Sequence, residues 1–283
     1  DGSHNTNNPC RLSAPCTMAT GMEVIQRLRE EAFNRETEIR LHSHPYLKAA
    51  EDGTLTLSQR RAFAQEQYFV QLSDARSFAL LAGHTGFAPP SLAGASVPER
   101  PKRSEATTTP HSNDDIDDDE VDLFQFLLGG EVYAASLLLA HAKSVGLDEN
   151  ALRSGYQLSS KSQAYPSYWA RLALSRNGRA AGAAACAVNF PAWGEMCRRL
   201  HEALSGGEGK GGGKHFGYAG SDDEGLAFIK FFATPIEKLD QMAASIIEKE
   251  GVSYDVLVEP VRLLQEYEVM FWDGIFEKQE LKV

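Results

Sequence analysis

Cysteine is sparse and poorly placed for a scaffold. The 283 residues hold four: Cys10, Cys16, Cys186 and Cys197. There is no CxxC, and no Cys/His cluster has zinc spacing, which argues against a zinc module or a disulfide framework. A Cys10–Cys16 bridge is open by spacing, although a reducing compartment keeps such thiols free. Long apolar runs are missing too. No stretch of ~18 apolar residues occurs, so no membrane span is expected. The longest uncharged stretch of the second half, AAGAAACAVNFPAWG at 180–194, is short and rich in small residues. It reads as a tightly packed core helix. No signal-peptide h-region is visible. The expected setting is inside a cell, in the cytoplasm or in an organelle after loss of a transit peptide. Positive charge is in deficit: 28 Lys and Arg against 39 Asp and Glu give −11 and a pI near 5.2. Such a chain repels phosphate backbones and lacks the cationic patch an anionic membrane attracts, so neither nucleic acid nor membrane is an expected partner. Period-2 strand patterning is absent. The glycine-rich SGGEGKGGGK at 205–214 follows no strand and contains no GK[ST], so it is not a phosphate-binding loop.

What remains is helical periodicity. Residues 1–20 read as a disordered tail. Helices are expected at roughly 22–41, 58–82, 121–145, 148–158, 164–176, 178–205, 222–233, 235–250 and 253–279, with Ser58 capping the second. Between them, 87–120 carries five prolines and ends in an acidic run, and 205–220 is glycine-rich. Both read as mobile insertions. The fold class is therefore all-α: one helical domain over 21–280.

The closing helix poses a question. In QEYEVMFWDGIF at 265–276, Leu264, Phe271, Trp272, Ile275 and Phe276 form one apolar stripe, and Glu268 stands inside it. A carboxylate among core aromatics is either bonded to a buried partner or faces a pocket. In a pocket, desolvation raises its pKa into the range of a general acid or base at neutral pH.

Three segments together resemble the TenA/PqqC family of the heme-oxygenase-like fold. They are HPYLKAAEDGTLTLSQRRAFAQEQYFV at 44–70, AYPSYWARLALSRNGRAAGAAACAVNFPAWGEMCRRL at 164–200, and YEVMFWDGIF at 267–276. The resemblance spans roughly 22–280 apart from the insertions. It implies a single bundle with a central buried pocket. Branches of the family hydrolyse thiamine or its aminopyrimidine fragments, oxidise a quinone precursor without a cofactor, or use a di-iron centre. A small heterocyclic ligand and a homo-oligomer are implied.

Carried over residue by residue, the glutamate of the closing E-x-x-F-W falls on Glu268, and the pocket carboxylate of the second helix on Glu66. The retained pocket tyrosine is Tyr165, with Tyr168 a competitor. Several positions depart. The nucleophilic cysteine falls on Asn189, which cannot form a covalent intermediate. Tyrosine positions read Phe69, Trp193 and Phe232. Cys186, one turn before Asn189, is either a displaced nucleophile or a small packed residue. Pro191 is expected to kink the central helix. The eight histidines lie mostly in loops or the tail, and none accompanies Glu268, so neither a di-iron centre nor a heme on His42 or His44 is expected. No metal and no cofactor are expected. Two functions follow. One is a hydrolase of thiamine-related aminopyrimidines, with Glu268 moving the proton and Glu66 orienting the ring. The other is a non-catalytic binding or assembly protein with an apolar or filled pocket.

Overall fold

A computed structural model describes residues 19–83, 122–206 and 216–278. The expected tail up to 18 and the insertion at 87–120 lie outside them. Eleven α-helices are formed and no strand among the described residues. They are α1 (Gly21–Arg29), α2 (Ala32–His42), α3 (Pro45–Glu51), α4 (Leu57–Gly83), α5 (Leu123–Ser144), α6 (Glu149–Arg153), α7 (Ala164–Ala173), α8 (Gly178–Ser205), α9 (Ala227–Ala233), α10 (Leu239–Glu250) and α11 (Tyr254–Phe276). A 3-10 turn at Glu224–Leu226 precedes α9.

Local chemistry sets the boundaries. Thr20 and Glu23 form a capping box that starts α1. The helix expected over 22–41 is instead two, because Glu31 turns extended (ψ 144°). The carbonyls this break frees are taken by side chains: Asn34 Nδ2 donates to Arg29 O at 3.2 Å and Arg35 to Glu30 O at 2.5 Å. Pro45 opens α3 at a position where its missing N–H is harmless, and the His44 ring caps that helix. Pro235 and the left-handed Lys238 (φ 59°) delay α10 to Leu239, later than the apolar pattern suggests. The expected insertion at 205–220 is partly ordered packing: Phe216 and Tyr218 are buried, and Arg60 stands over both rings.

The core forms around α8. Every residue from Gly178 to Asn189 is buried, because Ala, Gly and Cys let neighbours approach closely. A Cβ on Gly182 would lie 3.1 Å from Phe124 and 3.2 Å from Trp169. Helices α1, α3, α7, α9, α10 and α11 all pack on α8, while α4 pairs with α5. Fully buried Trp169, Trp272, Phe63 and Phe78 fill the spaces between them, each contributing roughly 1.5–3 kcal/mol by leaving water.

Two features of this packing matter for the site. Pro191 sits inside α8 and has no N–H for the carbonyl of Ala187. That carbonyl accepts instead from Arg29 Nη2 at 2.7 Å, and the same guanidinium grips Asp240 with two bonds of 2.7 Å. The N-terminal end of α10 is thereby tied to the proline break. The second feature is α5. It is long and apolar enough to cross a membrane by length and composition, although Glu131 and His141 interrupt its apolar run. Within the bundle it lies along α4 and leaves Phe126, Val132 and Tyr133 exposed.

Candidate active site

Helices α1, α4, α5, α7, α8, α9, α10 and α11 line an open cavity of about 1090 Å³. Its floor is polar and buried. Gln67 and Asp74 come from α4, Tyr165 from α7, and Glu268 with Phe271 from α11. On α4 the spacing Gln67, Val70, Asp74 places all three on one helical face, and all three line the cavity. Glu131 reaches it from α5, where Gln71 Nε2 donates to its backbone carbonyl at 3.1 Å. The side wall is aromatic: Phe190, Trp193, Phe231 and Phe232. Trp193 stands 5.9 Å from Phe232, 6.2 Å from Phe271 and 5.5 Å from Trp272, ring centre to ring centre. The rim is exposed and consists of Met22, Gln125, Phe126, Tyr133 and the loop 234–238.

Glu268 brings a buried carboxyl group to the cavity. It is 2% exposed and accepts a hydrogen bond of 2.8 Å from Trp272 Nε1. Burial raises its pKa to about 7, and the hydrogen bonds from Trp272 and Asn189 limit the rise. Asp74 is pushed well up by burial, then by the charges of Glu131 and Glu268. Glu131 is raised to about 8, again chiefly by burial. The Tyr165 hydroxyl is also raised, by burial and then by Asp74 and Glu268, so it stays a hydrogen-bond donor. Asp74 Oδ1 is buried without a hydrogen-bond partner.

Behind Glu268 runs a row of buried amides. Asn189 Nδ2 donates to Gln265 Oε1 at 2.9 Å, Gln265 Nε2 donates to Asn34 Oδ1, and Asn34 Nδ2 donates to Arg29 O. Asn189 is fully buried and lies outside the cavity lining. Its place in the structure is a hydrogen-bonding one beside Glu268.

Of the residues singled out from the sequence, Glu268, Tyr165, Trp193 and Phe232 line the cavity together. Four others do not. Glu66 is caged elsewhere, accepting from Tyr156 Oη at 2.9 Å, Ser159 N at 2.6 Å and Gln163 Nε2 at 2.6 Å. It organises the turn before α7, and Gly274 of α11 makes room for that turn, since a Cβ there would lie 2.6 Å from Ser159 Oγ. Phe69 turns away from the cavity and packs on Tyr68. Cys186 is buried outside the lining, and burial holds its thiol well above the usual range. Asn189 is the fourth. The residues missed were Asp74, Glu131 and Gln67. The Gln67–Asp74 spacing was the available signal, whereas Glu131 lies in a helix whose sequence gives no sign of which face meets the pocket. His44, weighed as a heme ligand, has both ring nitrogens engaged, by Tyr46 N and by Asp273. Among the described residues no group of three or more His, Cys, Asp or Glu side chains is placed to hold a metal ion.

The chain resembles a solved structure described as a TenA homologue protein from P. horikoshii OT3, with a TM-score of 0.59 over 90% of this chain and 99% of that one, at 14% identity. The fold is TenA-like. No protein-family model matches the sequence, and no curated protein matches it. The TenA-like fold accounts for the order of the helices around α8.

Proposed function

We propose that the protein is a TenA-like hydrolase that cleaves a C–N bond of an aminopyrimidine-type nitrogen base. The observation that carries this reading is Glu268, a carboxyl group on the floor of an open cavity, poised by burial between its two protonation states near neutral pH. In that range a group both accepts and returns a proton within one cycle.

The reaction follows from the groups present. The base sits against the floor, with the Asp74 carboxyl group accepting from its exocyclic amino group and Gln67 beside it. The ionised Glu268 takes a proton from a water molecule as the water oxygen bonds to the carbon bearing the leaving nitrogen. The C–N bond breaks in that same step, its electron pair leaving with the nitrogen, and where the leaving group is an amine the proton held by Glu268 then passes to it. No covalent intermediate is required, in keeping with the position of both described cysteines outside the cavity. Tyr165 donates a hydrogen bond to the ring or to the leaving group. The orienting role expected of Glu66 passes to Asp74 in this reading.

A second reading, a binding protein without turnover, draws on the aromatic wall and the missing nucleophile. Chromatography of thiamine and of 5-aminomethyl-substituted 4-aminopyrimidines incubated with the protein separates the two. Turnover that falls by about 10²–10⁴-fold in Glu268→Gln, with ligand-induced thermal stabilisation retained, supports the hydrolase. Stabilisation without any product leaves the binding protein. Absence of both sinks the aminopyrimidine assignment.

A further inference from the structure

Carboxyl groups outnumber the other polar side chains on the cavity floor. Asp74, Glu131 and Glu268 all line it, and Asp74, only 4% exposed, keeps Oδ1 without a partner. The cations among the lining residues are committed elsewhere or stand at the rim. Arg29 is held by Asp240 and the Ala187 carbonyl, Arg198 by Glu195 and Glu202, and Lys238 is exposed on the rim loop. Three carboxyl groups without a facing cation, one of them with an orphaned oxygen, form a receptor for a group that brings its own positive charge and several N–H donors.

The rest of the cavity has the opposite character. Its 1090 Å³ lies just above the range of roughly 300–1,000 Å³ typical for drug-sized ligands, far more than a bare pyrimidine needs. From the floor outward the wall is aromatic, through Trp193 and Phe232 to Phe231 and Phe190, and it ends at exposed Phe126 and Tyr133. A small polar base would leave this wall facing water.

We infer that the ligand has two parts: an ammonium or amidinium group on Asp74, Glu131 and Glu268, joined to an apolar body that extends along Trp193 and Phe232 towards the rim. This rests on the cavity being the binding site. It deepens the proposed function by assigning the substrate a large apolar substituent.

Calorimetry with n-alkylamines from butyl to octyl tests it, using the full chain at fixed pH and salt. The matching n-alcohols, the matching n-alkanoates and a 4-aminopyrimidine serve as comparisons. The expected result is a Kd that falls about three- to fourfold per added methylene, with alcohols at least tenfold weaker than amines and alkanoates not bound. Asp74→Asn should weaken the amines at least tenfold and leave the alcohols unchanged. Phe231→Asp at the outer wall should flatten the dependence on chain length while butylamine binds as before, which keeps the test open if the Asp74 variant does not fold. Amine affinity independent of chain length, alongside normal binding of the aminopyrimidine, overturns the apolar body and spares the proposed reaction. Alcohols binding as tightly as amines overturns the charged head. Failure of amines and aminopyrimidine alike overturns both readings of the cavity.

Discussion

Glu268 sits where two demands meet. A carboxyl group with a pKa near 7 in the fold and about 4.5 outside it binds its proton more tightly when folded. Stability is then fully present below about pH 4.5 and declines as the pH rises through 7. Glutamine cannot ionise, so Glu268→Gln should remove that decline. Urea unfolding at pH 5 and pH 8 should show the variant gaining on the order of 2–3 kcal/mol relative to wild type at the higher pH, and little at the lower. A variant equally destabilised at both values would mean that the carboxylate is not desolvated. Glu268 was legible in the sequence because it interrupts an apolar stripe. Asp74 was harder to find, since α4 buries a continuous set of polar residues, Gln67, Gln71, Asp74 and Ser77, and no stripe stood out. Glu66 attracted attention as a carboxylate near the right place in the segment. One residue is a rotation of about 100° on a helix, and that rotation carries Glu66 away from the cavity and onto the turn at Ser159.

At the scale of elements, helix positions were largely readable from apolar spacing, but Ser58, expected to cap the second helix, lies inside α4, whose start is capped by Thr56 exchanging hydrogen bonds with Gln59. The breaks were less readable. The split between α1 and α2 depends on Asn34 and Arg35 catching freed carbonyls, a contact that no periodicity encodes. The proline of α8 was visible, but its partner was not, because Arg29 lies 158 positions away from Ala187. Their dependence is measurable. Arg29→Met leaves the Ala187 carbonyl buried without a donor and should cost about 2–3 kcal/mol. In a Pro191→Ala background the helix supplies its own N–H, and the same change should cost at least about 1 kcal/mol less. The residual cost reports the Asp240 ion pair alone. Equal costs in the two backgrounds would show that Arg29 does not serve the proline break.

At the scale of the molecule, the acidity of the chain and the chemistry of its interior are separate matters. The surface carries Asp and Glu, many of them in exposed pairs such as Arg198 with Glu195 and Glu202, each worth little. Inside, Asp74 and Glu268 are set apart from that charge by packed helices, and half-buried Glu131 lines the same cavity. The sequence showed the sign of the total and not this separation, which depends on which helix faces meet. The amide row extends the site across the bundle, from Glu268 on α11 through Asn189 on α8 and back by Gln265 to Asn34 on α2. An amide side chain can turn over and exchange its donor for its acceptor, but a main-chain carbonyl cannot. The row ends on Arg29 O, so its direction is pinned from that end, and Asn189 is made to present N–H to the carboxyl group at the other. Asn34 therefore acts as a remote tuning peg for the site. Asn34→Ala releases the pin without touching the cavity, and the midpoint of Glu268 titration, followed by carboxyl NMR, should move upward from its wild-type value near 7.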